Sequence, residues 1–233
     1  MRPAAVALIT TALLGAACGC GGGSAAGASA ARLSQLSYVA QSHLLSCEAA
    51  SLQMALTHAG IQRTQDAILE LIGIDRTPPE LAADGSVLHW GDPFDRFVGD
   101  PDGSEIGLTG YGVYAPALGR AATASGAHVL VAAQGVAAAQ VYDYAAHQHP
   151  VIVWVSMSGH GDYRPQPTTS YVAFDGREIV FGPGFEHSVV VVESTPDSVR
   201  LYDPEPDVGP HWISRAEFEA SYQVFGEMAV ALS

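Results

Sequence analysis

The chain changes its hydrophobic pattern near residue 150, and this change limits the folds that it can adopt. Between Cys47 and His147, apolar residues recur at the spacing of amphipathic helices. After Pro150 they form short continuous or alternating runs separated by Gly, Pro and Asp, which is typical of strands. Helices followed by antiparallel strands predict an α+β fold in which an N-terminal helical layer packs on a C-terminal antiparallel β-sheet.

The periodic segments and their bounding turn residues predict individual elements. The predicted helices are 47–59, 64–72, 115–125 and 136–147. The predicted strands are 128–132, 151–155, 170–174, 178–181, 187–193, 198–202 and 228–232. Residues 214–217 form a capping box that opens a further short helix.

Residues 77–112 are rich in Pro, Gly and Asp and predict a long loop with little regular structure. Such a loop is unusual inside a compact domain unless it is functional. Its carboxylates between residues 92 and 105 could hold calcium, but the spacing lacks the glutamate that an EF-hand needs at its twelfth position. A solvated acidic loop is the favoured interpretation.

The N-terminus has the pattern of an export signal. A positive start at Met1-Arg2 is followed by an apolar run from Ala4 to Gly15, too short for a membrane span. We expect a signal peptide at 1–18, a flexible Gly/Ser/Ala linker at 19–35 and one folded domain at 36–233. The small residues before Cys18 resemble a lipoprotein cleavage site, so the exported protein is either anchored to the membrane through a lipid on Cys18 or released from the cell.

Composition excludes some classes of partner. The net charge is −14 and all ten basic residues are arginine, so nucleic acid is excluded as a partner on charge grounds. The domain after the leader is long enough for one hydrophobic core, and we expect a monomer without a cofactor or metal. Of the three cysteines, only Cys47 lies in this domain, which excludes a disulfide framework there.

Cys47 lies where an extended segment passes into the first predicted helix, with Ser46 as the predicted N-cap. The helix dipole should favour a thiolate at this position. Gln41, six residues earlier, could donate its side-chain amide to an oxyanion. Glu48 would raise the pKa of the thiol, but we expect it to face away because successive helical residues point about 100° apart.

Three stretches of the sequence carry a family resemblance: Gln41 with Cys47-Glu48-Ala49-Ala50-Ser51-Leu52, WGDPFDRFVG at 90–99 and GYGVYAP at 110–116. The chain resembles the papain-like cysteine peptidases, and within them the branch of bacteriocin-leader-processing peptidases and their stand-alone secreted relatives. The resemblance implies a papain-like fold. It also implies that Cys47 is the nucleophile, His187 the general base and acid, Asp203 its orienting partner and Gln41 an oxyanion donor.

The residues themselves support these roles. His187 begins one strand of a predicted hairpin, and Asp203 ends the other. Since paired strands lie about 4.8 Å apart, their side chains could meet. Each residue also has an ordinary interpretation: Cys47 as a small buried hydrophobe, His187 as a strand-end histidine, Asp203 as a turn residue and Gln41 as an exposed polar residue.

Other residues leave alternatives open. The resemblance is imperfect at Ser46, where relatives commonly have glycine, and at Glu205, where they often have an aromatic. Four aromatic residues could line a cleft or pack in the core: Trp90, Tyr111, Tyr114 and Trp154. His43, His89 and His160 lack the spacing of zinc ligands.

The leading hypothesis is therefore an exported cysteine peptidase that hydrolyses peptide bonds of a peptide or protein substrate through a thioester intermediate. One alternative is a non-catalytic peptide-binding module of the same fold. Another is a transglutaminase-like acyltransferase, in which an amine replaces water as the acceptor.

Overall fold

The structure is a computed structural model that describes Met1 and residues 32–233. The predicted signal peptide, Cys18 with its predicted lipid and most of the predicted linker lie outside the described residues. No helix in the described part of the chain is long and apolar enough to cross a membrane.

Residues 32–233 contain five α-helices: α1 (Cys47–His58), α2 (Gln65–Ile72), α3 (Ala115–Ala124), α4 (Ala138–Ala146) and α5 (Arg215–Tyr222). Two 3₁₀ turns lie at Leu33–Gln35 and Gln223–Phe225. All five helices lie where the sequence predicts them. The side chain of Thr64 accepts a hydrogen bond from the Ala67 N–H and caps α2, and the capping box of Ser214 and Glu217 opens α5.

The strands of this region are short, and most are antiparallel to their neighbours. They are β1 (Ile74–Asp75), β2 (Glu80–Leu81), β3 (Val87–Trp90), β4 (Phe97–Val98), β5 (Val129–Ala133), β6 (Val151–Ser156), β7 (Thr169–Ala173), β8 (Glu178–Phe181), β9 (Glu186–Ser194), β10 (Ser198–Asp203), β11 (Gly209–Ser214) and β12 (Ala229–Leu232). Six of them form an antiparallel sheet in the order β11-β10-β9-β6-β12-β5.

This six-stranded sheet carries the helices. Helices α1 and α4 pack on β9, α3 packs on β5, and α5 packs on β6. Every residue of β6 is buried, as its continuous apolar sequence predicts for a strand covered on both faces. The predicted α+β fold, with a helical layer on an antiparallel sheet, is confirmed.

The prediction of an irregular loop at 77–112 was wrong in part. Strands β2, β3 and β4 lie within it, and β3 pairs in parallel with β7 to form a second sheet in the order β2-β3-β7-β8. The partner of β3 lies about 80 residues later, and so distant a pairing leaves no local pattern. Strand β11 was also missed, since Pro210 and polar neighbours obscure its alternation.

The four aromatic residues with two open interpretations belong to the core. Trp90, Tyr111, Tyr114 and Trp154 are each almost completely buried. The hydroxyls of Tyr111 and Tyr114 lie 2.6 Å apart, and Tyr114 donates to the Val180 carbonyl. This aromatic cluster joins the second sheet to the helical layer, and Tyr111 also reaches the cavity described next.

Candidate active site

Three of the four predicted site residues line one cavity of about 360 Å³. Gln41 and Cys47 come from the start of α1 and the segment before it, and His187 comes from β9. Residues 103–106 of the acidic loop cover another side. The fourth residue, Asp203, is completely buried behind His187.

The imidazole of His187 is held by the end of β10. Its Nε2 donates to Asp203 Oδ1 at 2.6 Å, and the Glu205 N–H donates to the same oxygen at 2.7 Å. The Tyr163 hydroxyl donates to Oδ2. Both carboxylate oxygens are therefore fixed, and Nδ1 of His187 is left for a second partner.

The charges of this pair favour each other. Burial opposes an imidazolium, but the Asp203 carboxylate and its hydrogen bond outweigh burial and raise the pKa of His187. Burial likewise opposes a carboxylate at Asp203, yet His187 and the Tyr163 hydroxyl outweigh it and lower the pKa of Asp203. The sequence did not identify Tyr163, which lies 40 residues before Asp203 outside any regular strand.

Cys47 is the first residue of α1, as predicted, but its surroundings differ from the expectation. Glu48 does not face away: its carboxylate is buried, and the Cys47 thiol donates to Glu48 Oε2 at 3.3 Å. Within residues 32–233, no hydrogen bond joins Cys47 to His187.

The prediction that Cys47 ionises easily was wrong. Burial raises the pKa of the thiol well above its usual value, and the carboxylates of Glu48 and Glu186 raise it further. The helix N-terminus favours the thiolate, but its effect is typically below 1 kcal/mol near a surface, about 2 at most. Desolvation and two nearby acids outweigh it.

Glu48 belongs to a group of three buried glutamates, with Glu105 and Glu186. Glu48 Oε1 accepts from the Val113 N–H at 2.7 Å, and Glu105 accepts from the Gly184 N–H. Burial raises the pKa of Glu48 to about 7 and that of Glu105 to about 8. Burial raises the pKa of Glu186 as well, and its neighbours Glu48 and Glu105 add to the effect.

No pattern in the sequence predicts that two of these glutamates lie at the site. Glu105 follows the exposed carboxylates Asp100 and Asp102 in the acidic loop, and Glu186 precedes His187 at a strand start. Glu48 alone has such a pattern, because it follows Cys47 in the sequence. A close contact accompanies this position: a Cβ on Gly112 would lie 2.5 Å from Glu48 Oε1, so a larger residue there would displace the carboxylate.

Hydrogen bonds from both its backbone and its side chain hold Gln41 beside the cavity. Its backbone N–H donates to the Pro204 carbonyl at 2.8 Å, which ties it to the segment after Asp203. Its side-chain Nε2 donates to the Leu44 carbonyl at 2.9 Å and keeps one hydrogen for another acceptor. An amide donor is thus present near Cys47.

Ser46 precedes α1, but its side chain does not cap the helix as predicted. The hydroxyl instead donates to Gln65 Oε1 at 2.8 Å. The side-chain amide of Gln65 donates in turn to the Ala40 carbonyl at 2.9 Å. Gln65, which sequence analysis missed, therefore fixes the segment between Gln41 and Cys47 from beneath.

Carboxylates of the acidic loop, both the largely buried side chain of Asp92 and its exposed neighbours, are paired with cationic groups and are not simply solvated. Asp92 contacts Arg177, Asp95 contacts Arg120, and Asp100 contacts Arg76, at 2.9 to 3.3 Å. His43 bridges Asp66 and Asp102 at 2.7 and 3.0 Å. These pairs anchor the loop that covers the cavity.

Comparison with known proteins places this architecture in a family. The model of the Peptidase C39-like family matches residues 33–230. The chain belongs to the C39-like peptidase family. This confirms the resemblance to bacteriocin-processing enzymes, and family membership supports a peptidase function in general.

Two solved structures share the C39-like fold. A C39-like protein from Bacillus anthracis has a TM-score of 0.70 and 24% identity, over 87% of this chain and 96% of that one. The peptidase domain of Streptococcus ComA, a bifunctional ABC transporter involved in a quorum-sensing pathway, has a TM-score of 0.50 and 18% identity, over 85% and 98%. A search among curated proteins found no match.

The cavity of this C39-like domain therefore combines a thiol, an oriented imidazole and an amide donor. These groups could support nucleophilic attack on a carbonyl, proton transfer and stabilisation of an oxyanion. They are accompanied by an unusual number of buried acids, which favour a cationic group or a proton in the same space.

Proposed function

We propose that this protein is an exported cysteine peptidase that uses Cys47, His187, Asp203 and Gln41. The observation that carries the proposal is the shared cavity of Cys47, His187 and Gln41, with Asp203 Oδ1 2.6 Å from His187 Nε2. This hydrogen bond leaves Nδ1 of His187 as the proton acceptor for the thiol.

In the proposed reaction, His187 Nδ1 takes the thiol proton as the sulfur of Cys47 attacks the scissile carbonyl. The side-chain amide of Gln41 and the backbone N–H of Cys47 stabilise the resulting oxyanion. The intermediate collapses to a thioester, and the leaving amine takes the proton from His187. Water then attacks the thioester with His187 as base, which releases the acid product and restores the thiol.

The electrostatics suggest when the nucleophile forms. Because burial and two acids raise the pKa of Cys47, a resting thiolate is disfavoured. Asp203 raises the pKa of His187 and makes it a better proton acceptor. We therefore propose that the proton moves to His187 only when substrate occupies the cavity and separates the thiol from Glu48.

The substrate and location belong to the same proposal. The substrate is a peptide or protein, since the family consists of C39-like peptidases. The positive start and apolar run before Gly15 support export, and Cys18 is the proposed site of a lipid anchor. The net charge of −14 supports cationic or neutral substrates and disfavours nucleic acid.

The test compares the parent protein with Cys47→Ala on a mixture of peptides of diverse sequence, analysed by mass spectrometry. We expect hydrolysis by the parent protein and a loss of roughly a thousandfold or more in Cys47→Ala. Cleavage that persists in the variant would assign the activity to other residues or to a contaminant. Glu178→Gln, an exposed site on β8, serves as the control and should cleave like the parent.

One observation favours a second candidate, a peptide-binding module without turnover. The Cys47 thiol donates a hydrogen bond to Glu48 and none to the His187 imidazole in the described residues. This arrangement is expected for a cysteine that stays protonated. The same experiment separates the two: peptides that bind the parent protein and Cys47→Ser equally, without cleavage by either, would favour binding alone.

A further inference from the structure

The sulfur of Cys47 lies in a small group of potential metal ligands. One ligand atom from each of Cys47, Glu48 and Glu186 lies within 4.8 Å of the other two, and all three residues are buried. The Cys47 Sγ to Glu48 Oε2 distance is 3.3 Å. Two ligands of one tetrahedral zinc ion lie about 3.6 Å apart, given metal bonds of about 2.3 Å to sulfur and 2.1 Å to oxygen.

Glu186 gives an independent reason to expect a ligand. The residue is 7% exposed, and its Oε1 is buried without a hydrogen-bond partner in the described part of the chain. A buried acid without partners is costly, because it has lost water and gained nothing. Within residues 32–233, no arginine forms an ion pair with Glu48, Glu105 or Glu186.

The neighbouring histidine donates no hydrogen bond to Glu186 within the described residues either. His187 follows Glu186, but its Nε2 is engaged with Asp203. Glu105 and Glu205 line the same cavity as Cys47 and Glu186. The group is thus a buried acidic site that borders a cavity, and its Glu186 Oε1 has no hydrogen-bond partner in the described residues.

We propose that Cys47 Sγ, Glu48 and Glu186 form a binding site for a zinc-class divalent cation. A thiolate ligand selects borderline and soft metals such as Zn²⁺ over Mg²⁺ and Ca²⁺, which prefer oxygen alone. Glu48 binds through Oε2, while its Oε1 keeps the Val113 N–H bond. Water from the cavity completes the four ligands, as in zinc sites with three protein ligands.

This site has a consequence for the reactivity of the cysteine. On metal binding the thiol proton passes to solvent, and the sulfur donates its electron pair to the metal. The same pair is then not free to attack a carbonyl or an alkylating reagent. Zinc and an electrophile therefore compete for one sulfur, so zinc keeps this cysteine unreactive.

The binding test uses the untagged full chain carrying Cys18→Ser and Cys20→Ser, so that Cys47 is the single thiol. Zn²⁺ is titrated against a chromophoric chelator, and Cd²⁺ is used to detect sulfur–metal charge-transfer absorption. We expect one Zn²⁺ per chain, affinity lower by roughly tenfold or more in Glu186→Gln, and no Cd²⁺ band in Cys47→Ala. Glu193→Gln is the matched control, since Glu193 lies on the same strand but is only half-buried and pairs with Arg200, and the affinity of this variant should equal that of the parent.

Near-ultraviolet circular dichroism establishes that each variant is folded, and Glu48→Gln, which can still accept from Val113, provides a second ligand variant. Zinc affinity unchanged in both glutamate variants, or a Cd²⁺ band that survives Cys47→Ala, would overturn the proposal. Zinc should also slow alkylation of Cys47 by iodoacetamide in the parent but not in Glu186→Gln. Because neither measurement needs hydrolysis, a failed metal site and a failed peptidase give different results.

Discussion

Cys47 and His187 line the same cavity, yet their surroundings act on protons in opposite directions. At His187, a buried carboxylate raises the pKa of the imidazole and favours its charged form. At Cys47, burial and two glutamates raise the pKa of the thiol and favour its neutral form. The base is thus prepared to accept a proton, while the nucleophile is held from releasing it.

This difference arises from the number of hydrogen-bond donors around each buried carboxyl group. Asp203 has the imidazole, the Tyr163 hydroxyl and the Glu205 N–H as donors. Glu186 has a buried oxygen with no donor within the described chain, and its neighbours are other acids. A buried carboxylate with donors stabilises the cation beside it, whereas buried acids without donors retain protons.

The largest expected effect concerns whether His187 accepts the proton of the Cys47 thiol. His187→Ala should slow alkylation of Cys47 by iodoacetamide by roughly a hundredfold or more, because the thiol loses its proton acceptor. Mass spectrometry locates the label on Cys47 among the three cysteines of the full chain, with a chelator present. His147→Ala, an exposed histidine at the end of α4, should react like the parent. Equal rates in both variants would mean that His187 does not act on this thiol.

The next prediction concerns the donors around Asp203. Tyr163→Phe should lower the free energy of unfolding by about 2 kcal/mol, because a buried carboxylate loses a donor. Tyr171→Phe is the matched control, since its buried hydroxyl donates to the neutral Gly91 carbonyl at 2.7 Å, and it should lose about 1 kcal/mol. Urea unfolding measures both. A smaller loss for Tyr163→Phe than for Tyr171→Phe would contradict a special role for the charged partner.

On the other side of the cavity, Glu48→Gln should make Cys47 more reactive. It removes a carboxylate that raises the pKa of the thiol, and alkylation at pH 8 should be faster by roughly tenfold for each unit by which that pKa falls. The rate is measured with a chelator present. Glu70→Gln, on the exposed face of α2, should leave it unchanged. A slower rate in Glu48→Gln would mean that Glu48 assists ionisation.

The smallest effect is a pH dependence of stability. Burial raises the pKa of Glu105 to about 8, above its value of 4.5 in an unfolded chain. The folded state therefore keeps a proton that the unfolded state has lost, and this contribution to stability disappears as pH rises through 8. Between pH 7 and pH 8 the parent should lose about 1 kcal/mol more than Glu105→Gln. Urea unfolding at both pH values checks this, and parallel losses would show that Glu105 is ionised in the fold.

The site was only partly predictable from sequence. Cys47 at a helix start and His187 and Asp203 on paired strands could be placed because local patterns fix the ends of elements. Tyr163 and Glu186 could not, because a tyrosine or glutamate in isolation carries no sign of the partner that it meets or lacks. The roles of Cys47, His187, Asp203 and Gln41 stay predictions until the variants are measured.

The sequence by itself determined the five helices, the strands after residue 128 other than β11, two hairpins and the family, because these depend on periodicity, turn residues and short motifs. The tertiary structure alone decided that β12 lies between β5 and β6, that β3 joins β7, and that two glutamates meet at one thiol. Such contacts join residues far apart in the chain. The pKa of a side chain depends on that burial and those neighbours, so the local position of Cys47 predicted a thiolate where the fold favours a thiol.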